Sequence, residues 1–296
     1  MRSEKLTTCT VCGSNELSEY IECRDHFVSG EIFQLSICNS CGFVFTNPRP
    51  FLSDIAPYYD SAEYVSHSKT SAGMINRLFH LARIYTLAYK KRLLNKYSTV
   101  TTLLDYGCGT GEFLEQMNKS GWTCFGIEPN ITAREAAGKK KGLIIRDESG
   151  LDEFKPSSIS AISMWHVLEH VYPLQERLHS FHEILDREGT LFVALPNMKS
   201  YDAQHYGRFW AAWDLPRHVH HFNPATIKTL MHNCGFKYIA AKPMLLDAFY
   251  ISMLSEKYKH GNTKYFLALV NGLKSNLQAF FKDYNYSSLI YIFKKS

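Results

Sequence analysis

Apolar and polar positions alternate in a repeating order through the C-terminal two thirds of the chain. Short apolar runs that suit buried strands lie at 101–104, 123–127, 143–145, 158–165, 190–195 and 236–243. Between several of them come stretches with apolar positions three and four apart, at 112–119, 133–141, 174–186 and 225–233, as on one face of a helix. Strand and helix in alternation predict a parallel sheet with helices on both faces. Ligands then collect at the carboxyl ends of the strands. A helix-prone stretch at 247–284 precedes a last strand pattern at 287–295 (SSLIYIFKK). Upstream, 74–97 reads as one long helix with Ile75, Leu78, Ala82, Tyr85, Tyr89 and Leu93 on a single stripe. Two short strands are expected at 20–27 and 32–37. Between these regions Pro48, Pro50 and Pro57 exclude a long helix. Tyr58, Tyr59 and Tyr64 there suggest a connector that folds over a ligand mouth. The expected domains are a small module at 1–46, a connector, lid and helix at 47–97, and an α/β domain at 98–296 with a helical insertion at about 247–284.

Composition narrows the class. With 45% hydrophobic and 21% charged residues among 296, the chain can bury an ordinary core. A net charge of +5, spread without long runs, demands neither nucleic acid nor a membrane. No apolar run reaches the roughly 20 residues of a bilayer span, and MRSEKLTTCTVC lacks a signal-peptide core. The expected address is the cytoplasm, where eight cysteines point to metal ligands or buried thiols rather than disulfides.

Chemistry concentrates first in LLDYGCGTGEFL, 103–114. A strand ends in Asp105, then Gly107, Gly109 and Gly111 let the backbone turn and a ligand lie on the main chain. A second acid, Glu128, ends the next strand at the distance suited to a ribose hydroxyl pair. Dinucleotide folds want G-x-G-x-x-G, whereas this chain has G-x-G-x-G. A carboxylate at 105 would repel a pyrophosphate but pair with an ammonium group. Separately, Cys9-x-x-Cys12 and Cys38-x-x-Cys41, each followed by a glycine, have the form of two zinc knuckles supplying four thiolates to one structural ion.

LLDYGCGTG with the acid of GIEPN resembles the cofactor motif of class I methyltransferases. The resemblance implies a seven-stranded Rossmann-like sheet, its last strand antiparallel beside the sixth, with a zinc-ribbon-like module in front. The implied cofactor is S-adenosyl-L-methionine, held by Asp105, Gly107, Cys108, Gly109 and Gly111 on the turn. Glu128 and Pro129 would flank the ribose, with Trp165, His166 and Tyr64 closing over it. Related enzymes that modify quinones and sugars often carry an L-E-H-V segment like Leu168–Val171 here, while the acid they often carry earlier in that strand is Ser160 in this chain.

Two stretches offer a general base. In MWHVLEHV, Glu169 and His170 follow the strand end. In FWAAWDLPRHVHHF, 209–222, two Trp, an Asp, an Arg and three His fall in one loop, and imidazole suits proton removal near pH 7. His218 is the first candidate, then His221. Arg217 is expected to grip a polar acceptor and Trp213 to wall it. Alternatively, His220 and His221 cap the helix that follows. The function expected is O- or C-methylation of a small molecule, such as a sugar or sugar conjugate. The alternative is a zinc-bearing rRNA or tRNA methyltransferase. Against it, Glu16, Glu19, Glu22, Asp25 and Glu31 leave the cysteine module without the basic surface that phosphates need.

Overall fold

The computed structural model describes residues 2–59, 74–98 and 100–296. Three strands form the N-terminal module: β1 (Leu17–Arg24), β2 (Ile32–Cys38) and β3 (Val44–Thr46). The α/β part contributes β4 (Thr102–Tyr106), β5 (Thr123–Ile127), β6 (Ile144–Arg146), β7 (Ile159–Trp165), β8 (Leu185–Pro196), β9 (His220–His221), β10 (Phe236–Pro243) and β11 (Ser288–Lys295). The helices are α1 (Met74–Tyr97), α2 (Glu112–Asn118), α3 (Ile131–Gly138), α4 (Leu174–Ile184), α5 (Tyr201–Tyr206), α6 (Pro224–Asn233), α7 (Asp247–His260) and α8 (Tyr265–Gln278).

Seven strands form the main sheet in the order β10-β11-β8-β7-β4-β5-β6. The strands from β4 to β8 run parallel, and β11 inserts antiparallel to both β8 and β10. Its centre explains the unbroken apolar runs. Along β8, Leu191, Val193 and Leu195 pack into one core cluster with Phe181 of α4 and Leu230 of α6. The intervening Phe192 and Ala194 pack into another with Leu94 of α1 and Leu114 of α2. Both faces of a strand are then apolar, as a doubly covered sheet requires.

Helix α1 departs from the expected stripe. Leu93 and Leu94 are buried, but Tyr85 is 52% exposed, and the side chains of Ile75 and Leu78 lie outside the described residues. Among the described side chains of the helix, Leu87, Tyr89, Leu93 and Leu94 pack on the core beside the sheet. Helix α6 is capped by Asn223, whose side chain accepts from Ala225 N and Thr226 N, with Pro224 as the first helical residue. His220 and His221 therefore do not cap it.

They form a strand instead. A second sheet has the order β9-β3-β2-β1, in which His220 pairs with Phe45 and His221 with Val44. The sequence pattern places the His segment in a loop of the α/β part, whereas the chain brings it back as the fourth strand of the module's sheet.

Candidate active site at the strand ends

The turn after β4 is shaped by what surrounds it. A Cβ on Gly107 would sit 2.4 Å from Val167 Cγ2, so this position has no room for a side chain. At Gly109 (φ +55°) a Cβ would meet nothing within 4 Å, so the space over the turn is open. Two carboxylates border that space. Asp105 is buried and accepts a hydrogen bond from Ser163 Oγ. Burial pushes its carboxyl up to about 7, against the pull of Ser163 and of the Lys90 charge. Glu128 Oε2 accepts from Gly109 N at 2.8 Å and Oε1 from Asn130 N at 2.9 Å. Its carboxylate is thereby fixed at the end of β5 with lone pairs remaining for hydroxyl donors. A buried acid on the turn, a fixed acid one strand away and a bare main chain between them suit an amino-acid ammonium, a ribose and a thioether. The residues present fit S-adenosylmethionine.

Trp165 and His166 end β7. The indole packs edge-on against Phe113, with ring centroids 5.2 Å apart, and the Lys90 amine lies 4.4 Å above its ring centre. Burial pushes the Lys90 amine down to about 8. His166 holds a left-handed φ of +58°, which is costly for a side chain with a Cβ. Its Nε2 lies 3.1 Å from Asp247 Oδ2 and its Nδ1 lies 3.5 Å from Glu169 Oε1. Burial alone would lower this imidazole, but the two carboxylates outweigh it and hold it up at about 9. Of the other expected cofactor residues, Cys108 turns its thiol into the core beneath the turn, Pro129 follows Glu128 beyond β5, and Tyr64 lies outside the described residues.

A void of about 10 Å³, room for roughly one water, lies on the other side of Glu169, lined by Glu169, Pro196, Met198, Trp210, Ala212 and His218 among others. His218 Nδ1 lies 2.9 Å from the Ala212 carbonyl oxygen. A carbonyl can only accept, so Nδ1 carries a proton. Nε2 faces two acids, Glu169 Oε1 at 3.9 Å and Asp214 Oδ2 at 3.8 Å. The Glu169 carboxylate is 1% exposed, and its nearest donor is the long contact from His166 Nδ1 at 3.5 Å. A buried anion of this kind is stabilised by any positive charge that forms beside it.

The other expected catalytic residues are committed elsewhere. His170 Nδ1 donates to the Arg217 carbonyl oxygen at 3.0 Å, with the Tyr59 hydroxyl 3.1 Å from the same nitrogen. Burial pushes this imidazole down to about 4, so it stays neutral. It packs edge-on against the His218 ring, with centroids 4.6 Å apart, and so positions that ring. His221 is buried edge-on against Trp213, with Nε2 3.5 Å from Thr46 Oγ1, in the seam with the module. His220 Nε2 donates to the Val171 carbonyl oxygen. Arg217 is not free to grip an acceptor. Its guanidinium is 2% exposed and bonds Asp214, Asp25 of the module and the Tyr58 carbonyl oxygen. Trp213 is equally occupied, donating its indole N–H to the Gly207 carbonyl oxygen.

The four module cysteines converge. Cys9 and Cys41 sulfurs are 3.6 Å apart, as are those of Cys12 and Cys38. All four sulfurs lie within 4.8 Å of one another. Thiolates around a tetrahedral zinc at about 2.3 Å stand roughly 3.8 Å apart, whereas a disulfide brings its sulfurs to about 2.05 Å. Val11 N donates to Cys9 Sγ, and each knuckle closes with a glycine amide on the first cysteine's carbonyl. The donor set and spacing fit one zinc ion.

Sheet order, glycine turn and paired acids together define the class I methyltransferase fold. The profile of a family described as "Methyltransferase domain" matches residues 78–241, more than half of the chain. The chain belongs to that family. An uncharacterised methyltransferase of Oceanobacillus iheyensis is 32% identical over 93 residues, a match spanning 30% of this chain and 44% of that relative. Solved structures share the fold. A SAM-dependent methyltransferase from Archaeoglobus fulgidus superposes with a TM-score of 0.51 at 19% identity, covering 72% of this chain and 94% of that one. Magnesium protoporphyrin IX methyltransferase of Synechocystis, with bound SAH, gives 0.52 at 12% identity, covering 81% and 97%. Phosphoethanolamine N-methyltransferase 2 of Haemonchus contortus, in complex with S-adenosyl-L-methionine, gives 0.52 at 16% identity, covering 85% and 62%.

Asp247, Lys90 and Asp25 do not stand out in the sequence. Each comes from an element distant in the chain, and each lies in a run with no motif around it. Their roles follow only from where α7, α1 and the module are placed.

Proposed function

We propose that this protein transfers the methyl group of S-adenosylmethionine to an oxygen or carbon of a small molecule, such as a sugar or sugar conjugate, with His218 as general base. The cofactor supplies an electrophilic methyl carbon on a sulfonium. Asp105 takes its ammonium, Glu128 its ribose hydroxyls, and the open main chain at Gly109 leaves room between them. The acceptor approaches the His218 side of Glu169, where Nε2 removes its proton. The observation that carries this reading is the His218 ring itself: Nδ1 is fixed on a carbonyl, and Nε2 faces the buried Glu169 carboxylate at 3.9 Å. Glu169 then stabilises the imidazolium as it forms. The cysteine cluster holds a structural zinc, and through β3 it fixes the strand that follows His218.

The test has two stages. Calorimetry on metal-loaded protein should show uptake of one S-adenosylmethionine, abolished by Asp105→Ala. Release of S-adenosylhomocysteine is then followed against a panel of nucleotide-linked and free sugars. Absence of cofactor binding refutes the proposal outright.

A further inference from the structure

Helix α8 is turned the wrong way for a helix that serves only the core. Its inward face is small and polar. Gly272 lies so close to Phe249 that a Cβ would stand 2.6 Å from that ring, Ser275 Oγ donates to Asp202, and Asn271 Nδ2 donates to the Tyr206 hydroxyl. Its outward face is apolar. Phe266, Leu269, Leu273, Leu277 and Phe280 are all exposed and recur three or four residues apart, with Phe281 beside them. Phe266 and Phe281 are 75% and 76% exposed. In water, amphipathic helices put such residues inward, and a contiguous exposed apolar stripe of this length marks a contact surface.

The charge around the stripe says what the contact is. Residues 257–282 hold five lysines and no Asp or Glu, and Lys264, Lys274 and Lys282 are exposed beside the aromatic residues. A second copy laid on this face would set lysines against lysines. A bilayer with anionic headgroups offers apolar depth and negative charge together. Among the described residues no helix is long and apolar enough to cross a membrane, so the contact lies in the interface plane.

We infer that the outer face of the α7–α8 insertion seats this protein on an anionic lipid bilayer. The inner face of the same insertion borders the candidate site: Asp247 meets His166, and Ser255 Oγ accepts from Ala211 N. A seat on lipid therefore holds His166 and the loop at Ala211 close to the membrane surface. The inference does not depend on the reaction proposed above.

The full chain is floated with vesicles of phosphatidylcholine alone and with vesicles also containing phosphatidylglycerol. Binding is expected to the anionic vesicles only and to weaken with salt. Phe280→Ser with Phe281→Ser should lower partitioning by about tenfold or more without changing the thermal midpoint. Lys264→Gln, Lys274→Gln and Lys282→Gln together should remove the preference for anionic lipid. The proposal is overturned if no flotation occurs, or if flotation is indifferent to the phenylalanines. It is equally overturned if light scattering shows a dimer that Phe266→Ser with Leu273→Ser splits, because a second copy then covers this face.

Discussion

Asp105 combines deep burial with a single hydroxyl partner, and its carboxyl is held near 7 rather than at its ordinary 3.8. The charged form that can pair with an ammonium group therefore exists above about pH 7 and is lost below it. Cofactor affinity should fall by up to tenfold per pH unit below that point, measured by calorimetry at pH 8 and pH 6. Asp105→Asn should bind weakly at both and show no such slope. At His218 the expectation differs in kind. His218→Asn should lower methyl transfer by roughly 10²–10⁴-fold and leave the cofactor dissociation constant nearly unchanged, with S-adenosylhomocysteine release and calorimetry as the two readouts. A parallel loss of cofactor binding would show that His218 supports the cofactor site rather than the acceptor. The glycine turn and the acids that end two adjacent strands were legible in the sequence because each follows directly on an apolar run. Arg217 and His221 were not. Their partners Asp25 and Thr46 stand 192 and 175 residues away, and nothing local distinguishes a histidine that waits for a substrate from one buried in a seam.

At the level of elements, the module is joined to the α/β part by a paired strand and a buried charge. Arg217 and Asp25 are 2% and 0% exposed at their side chains. Removing one partner of such a pair leaves the other buried and uncompensated, at a cost of about 3–5 kcal/mol. Arg217→Met should therefore lower urea-unfolding stability by that order, and a loss below about 1 kcal/mol would mean that the pair is solvated in solution. Chelation of the metal should loosen β1, β2 and β3, and with them β9. Hydrogen exchange is then expected to rise at 32–46 and at 218–222, and methyl transfer to fall while cofactor binding persists. Unchanged exchange at 218–222 would show that β9 stands without the module. The core strands were readable because a sheet covered on both sides imposes continuous apolar runs. The helices of the insertion were readable as helices, but not in orientation. A sequence periodicity gives the existence of two faces, and α8 turns its apolar one outward. Along α1 the expected stripe holds at Tyr89 and Leu93, which pack on the core, and departs at Tyr85, which is exposed.

For the molecule as a whole, the module is less an appendage than a fourth side of the candidate site. Thr46 donates to the His218 carbonyl oxygen and Thr46 N to the Val219 carbonyl oxygen. His218 therefore stands on a main chain held from the far end of the sequence. That arrangement has a consequence for biosynthesis. Val44–Thr46 leaves the ribosome early, apolar and uncharged, with one edge of its backbone unpaired. Its partner strand emerges about 175 residues later, a wait of roughly 10–35 s at ordinary elongation rates. Through that interval the nascent chain carries an open, sticky edge, and the steps that shield it, by chaperone or by pace of translation, govern how much active protein a cell obtains.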